Sequence, residues 1–313
     1  MKGLELSEAF YEEYGRPMLI SQFPDLLPYL AVGLFGSGSE CFGFDDEISR
    51  DHDFEPGFCL FLPDEETVDR RSAFLLERAY AKLPRSFRGF QRSVILPVGG
   101  ARHGVLRTSE FFMKTAGTSD GELSLEQWLT IPEEALAEAT NGKVFFDNYG
   151  EVTAIRRSLA AFPEDIRLKR LAGNLLLMAQ AGQYNYPRCL GHGEPAAAQM
   201  AVYEFVKSTL TTVFLLNGRY QPYYKWVFRA MRVLPALSEL ADPLESLLTT
   251  DNRAETIPAK TQSIEDISAS IAQRLKEMEL SRVGGRELER HAYSVNDRIQ
   301  NAELRNMHIL SAV

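Results

Sequence analysis

Cysteine is scarce in this chain: three residues among 313, Cys41, Cys59 and Cys189, widely spaced and never arranged as Cys-x-x-Cys. That excludes a disulfide framework and a structural zinc site, fits a reducing cytosol, and leaves small buried hydrophobes as the ordinary role for all three. Long apolar runs are missing as well. The nearest, Leu210–Leu216, falls far short of the roughly 18–20 residues a membrane-spanning helix needs. The opening Met1–Glu8 turns acidic at once and has no apolar stretch of the kind a secretory signal requires. A basic surplus is absent too: 34 Lys and Arg stand against 43 Asp and Glu, a formal charge of −9. This excludes a protein that coats nucleic acid through general basicity and argues against an anionic membrane surface as partner, while leaving room for a local basic groove. There is no internal repeat and no low-complexity tract. The expectation is a soluble, cytoplasmic protein.

The 45% hydrophobic and 25% charged composition suits two domains or one large one. The first half is punctuated. Short apolar runs, Leu30–Phe35, Phe58–Leu62, Arg92–Val98, Gly104–Arg107 and Val144–Phe146, are bounded by Gly, Pro, Asn and Asp and predict strands. Between them, the acidic Asp64-Glu65-Glu66 predicts a helix start continued by Ala73, Leu76, Ala79, Tyr80 and Leu83; Leu123–Leu129 and Glu133–Glu138 predict short helices. Beyond Pro163 the helical period dominates. Helices are predicted from Pro163 through Ala179, from Glu194 through Phe214, from Tyr223 to Val233, over Ser263–Met278 and over most of Glu287–Leu310, with Asp251–Thr261 as an exposed connection. The fold class is therefore α/β (α+β): a small mixed-sheet domain over residues 1–155 followed by an all-helical domain over 156–313.

One segment concentrates chemistry. Leu34-Phe35-Gly36-Ser37-Gly38-Ser39 reads as a strand end running into a Gly/Ser turn, and Asp51-His52-Asp53 follows about a dozen residues later. On a strand, a period of two puts both carboxylates on one face and turns His52 the other way, to a structural role. Two adjacent carboxylates repel unless a cation lies between them, and a hard divalent ion sharing its shell with phosphate oxygens suits them. The glycine-rich turn offers backbone N–H groups and hydroxyls to the same phosphates. Taken singly, each feature is an ordinary flexible turn or a solvated strand edge. Coupled, they describe a triphosphate held between a turn and a metal.

Gly-Ser at a strand end followed by Asp-x-Asp resembles the signature of the DNA-polymerase-beta-like nucleotidyltransferase superfamily, which includes aminoglycoside nucleotidyltransferases and the minimal nucleotidyltransferases of toxin–antitoxin pairs. Two registers are open: Gly36-Ser37 matches the strand-then-Gly-Ser start, whereas Gly38-Ser39 with Gly43 reproduces the Gly-Ser-x-x-x-Gly spacing. Both place Asp51 and Asp53 on the two metal-binding carboxylates. The chain also resembles a domain-of-unknown-function branch of that superfamily through Gly36–Cys41, Arg50–Phe54, Gln183–Arg188 and Tyr223–Trp226, in that order.

The resemblance implies Mg²⁺ or Mn²⁺ as cofactor, a nucleoside triphosphate such as ATP as substrate, and transfer of the nucleotidyl group to an acceptor hydroxyl with release of pyrophosphate. It also implies a third carboxylate on a later strand. Glu110 and Asp147 are the candidates, although Thr108-Ser109 before Glu110 also reads as a helix cap and Asp147-Asn148-Tyr149-Gly150 as a turn. Glu40, Asp45 and Asp46 lie nearer the Gly/Ser turn.

In the helical half, Lys225 is the residue the resemblance assigns to the triphosphate. Gln183, Asn185 and Arg188, set among tyrosines, either clamp a base, ribose or acceptor or serve as caps and interhelical bonds. Arg229 and Arg232 read as a solvated helix face, and His291 and His308 as surface residues. The acceptor, a small cationic molecule, a protein side chain or an RNA end, is expected between the two domains. If no third acid is present, the chain becomes a nucleotide-binding sensor or an antitoxin-like interaction module.

Overall fold

The computed structural model describes residues 1–47, 55–92 and 103–313. The chain divides into two compact units: Met1–Leu123 with Ile131–Ala160, and Ser124–Thr130 with Ala161–Val313. Among the described residues, no helix is long and apolar enough to cross a membrane.

The first unit is built on a four-stranded mixed sheet. Its strands are β1 (Ala31–Leu34), β2 (Cys59–Leu62), β5 (Gly104–Arg107) and β6 (Lys143–Asp147), in the order β5-β2-β1-β6. A separate two-stranded hairpin joins β3 (Ser86–Phe87) to β4 (Phe90–Gln91). Central β1 and β2 are buried along their whole length, as the continuous apolar runs require. β1 is antiparallel to β2, through Gly33↔Cys59, and to β6, through Leu34↔Lys143; β2 is parallel to β5, through Cys59↔Gly104. These directions give the sheet two distinct ends. The C-terminus of β1 shares one end with the N-termini of β2, β5 and β6, while Leu62, Arg107 and Asp147 lie at the other.

Helices α1 (Gly3–Phe10) and α2 (Arg16–Gln22), joined by a π-helical turn over Tyr11–Gly15, precede the sheet. The sequence reading places no element there. Leu6, Phe10, Tyr11, Met18 and Leu19 form one buried cluster with Val32, Phe58 and Leu60 of the sheet region. Helix α3 (Arg70–Ala81) starts six residues later than the acidic cluster suggests. Asp69 is its cap, accepting from Ser72 N at 2.7 Å, whereas Asp64 closes the preceding turn by accepting from Thr67 N at 2.8 Å. Helix α4 (Thr108–Ala116) begins directly after β5. Thr108 does not cap it; its hydroxyl donates to the Leu62 carbonyl at 3.0 Å. Arg92 lies outside any strand, with its guanidinium 4.7 Å from the Tyr80 ring, and the remainder of the predicted strand Arg92–Val98 lies outside the described residues.

The second unit is helical. It starts with α5 (Leu125–Thr130), opened by a reciprocal capping box between Ser124 and Gln127, while α6 (Glu133–Thr140) and α7 (Glu151–Ser158) belong to the first unit. Helices α8 (Glu164–Met178) and α10 (Pro195–Leu216) form its buried centre, with α9 (Tyr186–Gly191) between them in sequence. The remaining helices are α11 (Tyr224–Met231), α12 (Ala241–Thr249), α13 (Ile257–Glu277), α14 (Leu288–Asn296) and α15 (Ala302–Asn306). Helix α13 takes in part of the predicted connection Asp251–Thr261, because Pro258 falls in its first turn, where a missing N–H costs nothing.

Candidate functional site

The Gly/Ser turn leaves β1 after Leu34 and is held by a segment more than a hundred residues away. Asn141 grips Gly36 at two points: its Oδ1 accepts from Gly36 N at 2.9 Å, and its Nδ2 donates to the Gly36 carbonyl at 2.8 Å. The next residue, Gly142, donates its N–H to the Cys41 carbonyl at 2.9 Å. Asn141-Gly142 therefore pins both ends of the turn. Gly142 has φ +60°, and a Cβ there would collide with the Leu34 carbonyl oxygen and lie 2.8 Å from Phe35 Cα, so only glycine permits this approach.

Arg156 of α7 braces the clamp from behind. Its guanidinium donates to the carbonyls of Ala139 at 3.3 Å, Thr140 at 2.9 Å and Asn141 at 2.6 Å, and stacks 4.4 Å from the centre of the Phe35 ring. It thus satisfies the otherwise orphaned carbonyls at the end of α6. Burial brings its pKa down to about 10, so it stays charged at neutral pH.

Inside the turn, Cys41 N donates to the Gly38 carbonyl, Phe42 N and Phe44 N to the Ser39 carbonyl, and Gly43 N to the Glu40 carbonyl. Gly36 N is taken by Asn141. The backbone N–H groups of Ser37, Gly38 and Ser39 meet no acceptor among the described residues. Three successive donors without a described acceptor, in a turn fixed at both ends, are the kind of backbone donor set that anion-binding nests use. Ser37 is exposed, Gly38 is buried and Ser39 is half-buried, and among the described residues a Cβ on Gly36 would meet nothing within 4 Å. Ser39 Oγ reaches the Oε2 of Glu40, 8% exposed, at 3.5 Å. Asp45 is also buried but is used locally, accepting from Gly3 N at 2.9 Å and pairing with Lys2 at 3.5 Å.

Asp51 and Asp53, with His52, lie outside the described residues. The chain is described again from Glu55 and enters β2 at Cys59, which pairs with Gly33, three residues before Gly36. Among the described residues, no group of three or more His, Cys, Asp or Glu side chains could hold a metal ion.

Sheet polarity separates the two candidate third acids from the turn. Asp147 ends β6 opposite Ala31, at the far end of β1 from Gly36. Its Oδ1 accepts from Gly150 N at 2.8 Å, and its Oδ2 accepts from Thr153 N at 2.8 Å and Thr153 Oγ1 at 2.6 Å. The carboxylate therefore closes the turn into α7. Glu110 is exposed in the first turn of α4, again beyond the far ends of β2 and β5. There it lines a shallow cleft of about 360 Å³ with Glu65, Glu77, Phe74 and Arg107. The length of a four-residue strand, roughly 10 Å, lies between either acid and the turn end.

In the second unit, Gln183 and Asn185 belong to a π-helical turn over Ala179–Asn185. Gln183 serves structure: it donates to the Arg286 carbonyl at 3.0 Å and accepts from Leu288 N at 3.0 Å, at the start of α14. Asn185 and Arg188 are exposed, with the Arg188 guanidinium 5.0 Å from the Tyr184 ring. Lys225 is exposed on α11, its ammonium 5.0 Å from the Trp226 ring. Arg232 is not simply solvated, because it pairs with Asp242 at 3.0 Å and with Glu245.

His291 departs from expectation most sharply. It is fully buried, its Nδ1 lies 2.8 Å from Ser281 Oγ and its Nε2 lies 3.2 Å from the Gly285 carbonyl. Burial holds its pKa below the usual imidazole value. Cys41 and Cys59 are buried and Cys189 is half-buried, all as free thiols.

The sequence reading missed Asn141, Arg156 and the pair Glu55–His103. Asn-Gly carried a signal, but one that reads equally as a simple lead-in to β6.

Comparison with known proteins returns little that is specific. Residues 128–227 match a domain family described as a domain of unknown function, DUF4037. That span is less than half of the chain and includes Gln183–Arg188 and Tyr223–Trp226. No curated protein matches. Among solved structures, the chain is similar to a nucleotidyltransferase-like protein from Exiguobacterium sibiricum 255-15, at 12% identity over 90% of each chain with a TM-score of 0.38.

Proposed function

We propose that this protein is a metal-dependent nucleotidyltransferase that moves the nucleotidyl group of a nucleoside triphosphate, such as ATP, to an acceptor hydroxyl. The reading is carried by the three successive N–H groups of Ser37, Gly38 and Ser39, unpartnered among the described residues, at the sheet end where the chain enters β2 a few residues after Asp51-x-Asp53. The turn donates to phosphate oxygens, and Asn141 and Gly142 keep it from collapsing when the ligand leaves. Two carboxylates separated by one residue are an all-oxygen donor set that fits Mg²⁺ or Mn²⁺, and Asp51 and Asp53 would hold the ion. Such an ion, when bound, neutralises phosphate charge at the reacting centre.

A second reading has its own support. Glu110 and Asp147 both sit at the other end of the sheet, which favours a nucleotide-binding sensor that lacks the third acid.

The test is incubation with α-labelled nucleoside triphosphates and a cell extract, comparing the native chain with Asp51→Ala/Asp53→Ala. Transfer of label by the native chain alone supports the nucleotidyltransferase and identifies the acceptor. Equal transfer by both refutes the assigned carboxylates. Mg²⁺-dependent binding without pyrophosphate release selects the sensor.

A further inference from the structure

The geometry points to His103, oriented by Glu55, as the general base of the proposed transfer, an inference that rests on the nucleotidyltransferase reading. Neither candidate third acid, Glu110 or Asp147, lies at the turn end of the sheet, and residues 93–102 contain neither Asp nor Glu. An imidazole stands at that end, paired with the Glu55 carboxylate. His103 immediately precedes Gly104, whose N–H donates to the Phe58 carbonyl at 3.0 Å and which pairs with Cys59, itself opposite Gly33. The histidine therefore precedes a strand that lies two strand spacings from β1, roughly 10 Å, at the same end of the sheet as the turn.

The side chain is built in. It is 9% exposed, and its Nδ1 lies 3.3 Å from Glu55 Oε1. Gly57 is the residue that lets it lie there, since a Cβ on Gly57 would be 2.7 Å from His103 Cγ. Gly57 is itself fixed, its carbonyl accepting from Ser7 Oγ at 2.5 Å. A carboxylate on Nδ1 sets the tautomer, with the proton on Nδ1 and the lone pair on Nε2. Nε2 meets no hydrogen-bond partner among the described residues. Carboxylate-oriented imidazoles with a free second nitrogen are the recurrent construction of a general base.

In the proposed step the acceptor hydroxyl gives its proton to His103 Nε2 as its oxygen forms a bond to the α-phosphorus. The bond from that phosphorus to the bridging oxygen breaks, and the electron pair leaves with pyrophosphate. Glu55, a positioning residue, stabilises the imidazolium that results. No redox partner is involved.

The experiment compares native protein, His103→Ala, His103→Gln and Glu55→Gln. It measures Mg·ATP affinity by titration calorimetry and label transfer from α-labelled ATP in a cell extract. His103→Ala and His103→Gln are expected to keep the nucleotide dissociation constant within about twofold while losing transfer by at least ~100-fold. Added imidazole restores transfer at least ~10-fold in His103→Ala but not in His103→Gln, whose side chain fills the space. Glu55→Gln keeps nucleotide affinity and loses part of the rate. Transfer at the native rate by either His103 variant overturns the assignment, as does a rate loss that imidazole leaves untouched in a folded His103→Ala. Should that variant not fold, His103→Gln decides alone. If native protein binds Mg·ATP but transfers no label, the sensor stands and the base assignment is wrong. If it binds no nucleotide, the nucleotidyltransferase reading itself fails and takes this one with it.

Discussion

Replacing Asn141 tests whether the turn is held from outside, because its two hydrogen bonds to Gly36 are the only ones its side chain makes among the described residues. Each neutral bond contributes a net ~0.5–1.5 kcal/mol, so Asn141→Ala is expected to cost about 1–3 kcal/mol. For a domain of this size that lowers the melting midpoint on the order of 5 °C. Tryptophan fluorescence will not report it, because Trp128 and Trp226 both belong to the second unit. Hydrogen exchange of peptides covering residues 31–47 will, and amides whose protection depends on the clamp are expected to exchange roughly 5- to 150-fold faster. Asn141→Asp is the sharper variant. It preserves shape and the acceptor for Gly36 N, but sets a second anionic oxygen against the Gly36 carbonyl where an amide donor had been. It should destabilise at least as much as Asn141→Ala at neutral pH and recover in acid, when the carboxyl can donate. Unchanged exchange in Asn141→Ala, or an Asn141→Asp protein as stable as the native one, would refute the clamp.

Other consequences are more local. Arg156→Met should cost at least ~2 kcal/mol, because three carbonyls lose a charged donor, and Arg156→Lys should not rescue it, since a point ammonium cannot replace the planar fork; chemical denaturation reads both. Asp147→Ala should destabilise by about 1 kcal/mol through loss of its cap to Gly150 and Thr153. Per folded molecule, Asp147→Ala and Glu110→Gln should both leave label transfer unchanged; a hundredfold loss in either would return the third acid to the far end of the sheet. His291, held neutral by burial with its pKa lowered from 6.5, gives full stability above that unfolded value. As pH falls below it, the unfolded chain takes up a proton that the folded one refuses, and stability drops until the lower folded pKa is passed. Denaturation at pH 8 and pH 5.5 should show a loss in the native protein that is smaller in His291→Gln; equal losses would mean that His291 does not carry the effect.

Strands β1 and β2 are legible because they are short apolar runs between breakers, a pattern the interior of a sheet imposes. Their directions were not legible, and direction decides which acids share an end with the turn. Asp147 reads as a candidate carboxylate by sequence, and topology puts it at the opposite end of the sheet from the turn. The acidic cluster misplaced the start of α3 because Asp64 and Asp69 both cap N–H groups, one in a turn and one in a helix. The N-terminal helices are not legible in the sequence because Glu12, Glu13 and Arg16 interrupt an apolar stripe that is apparent only with Phe10, Tyr11 and Leu19 packed on the sheet. By sequence His291 reads as a surface residue, because its partners, Ser281 and Gly285, lie across a loop. The Asn141 clamp spans 105 positions, and no local pattern announces a contact of that range.

Amide resonances of Ser37, Gly38 and Ser39 offer the closest test, followed in an isotope-labelled chain as Mg·ATP is added. Saturable shifts in these three, lost in Asp51→Ala/Asp53→Ala, are the predicted result. Shifts confined to other residues, or none at all at millimolar nucleotide, would contradict a phosphate seat in this turn.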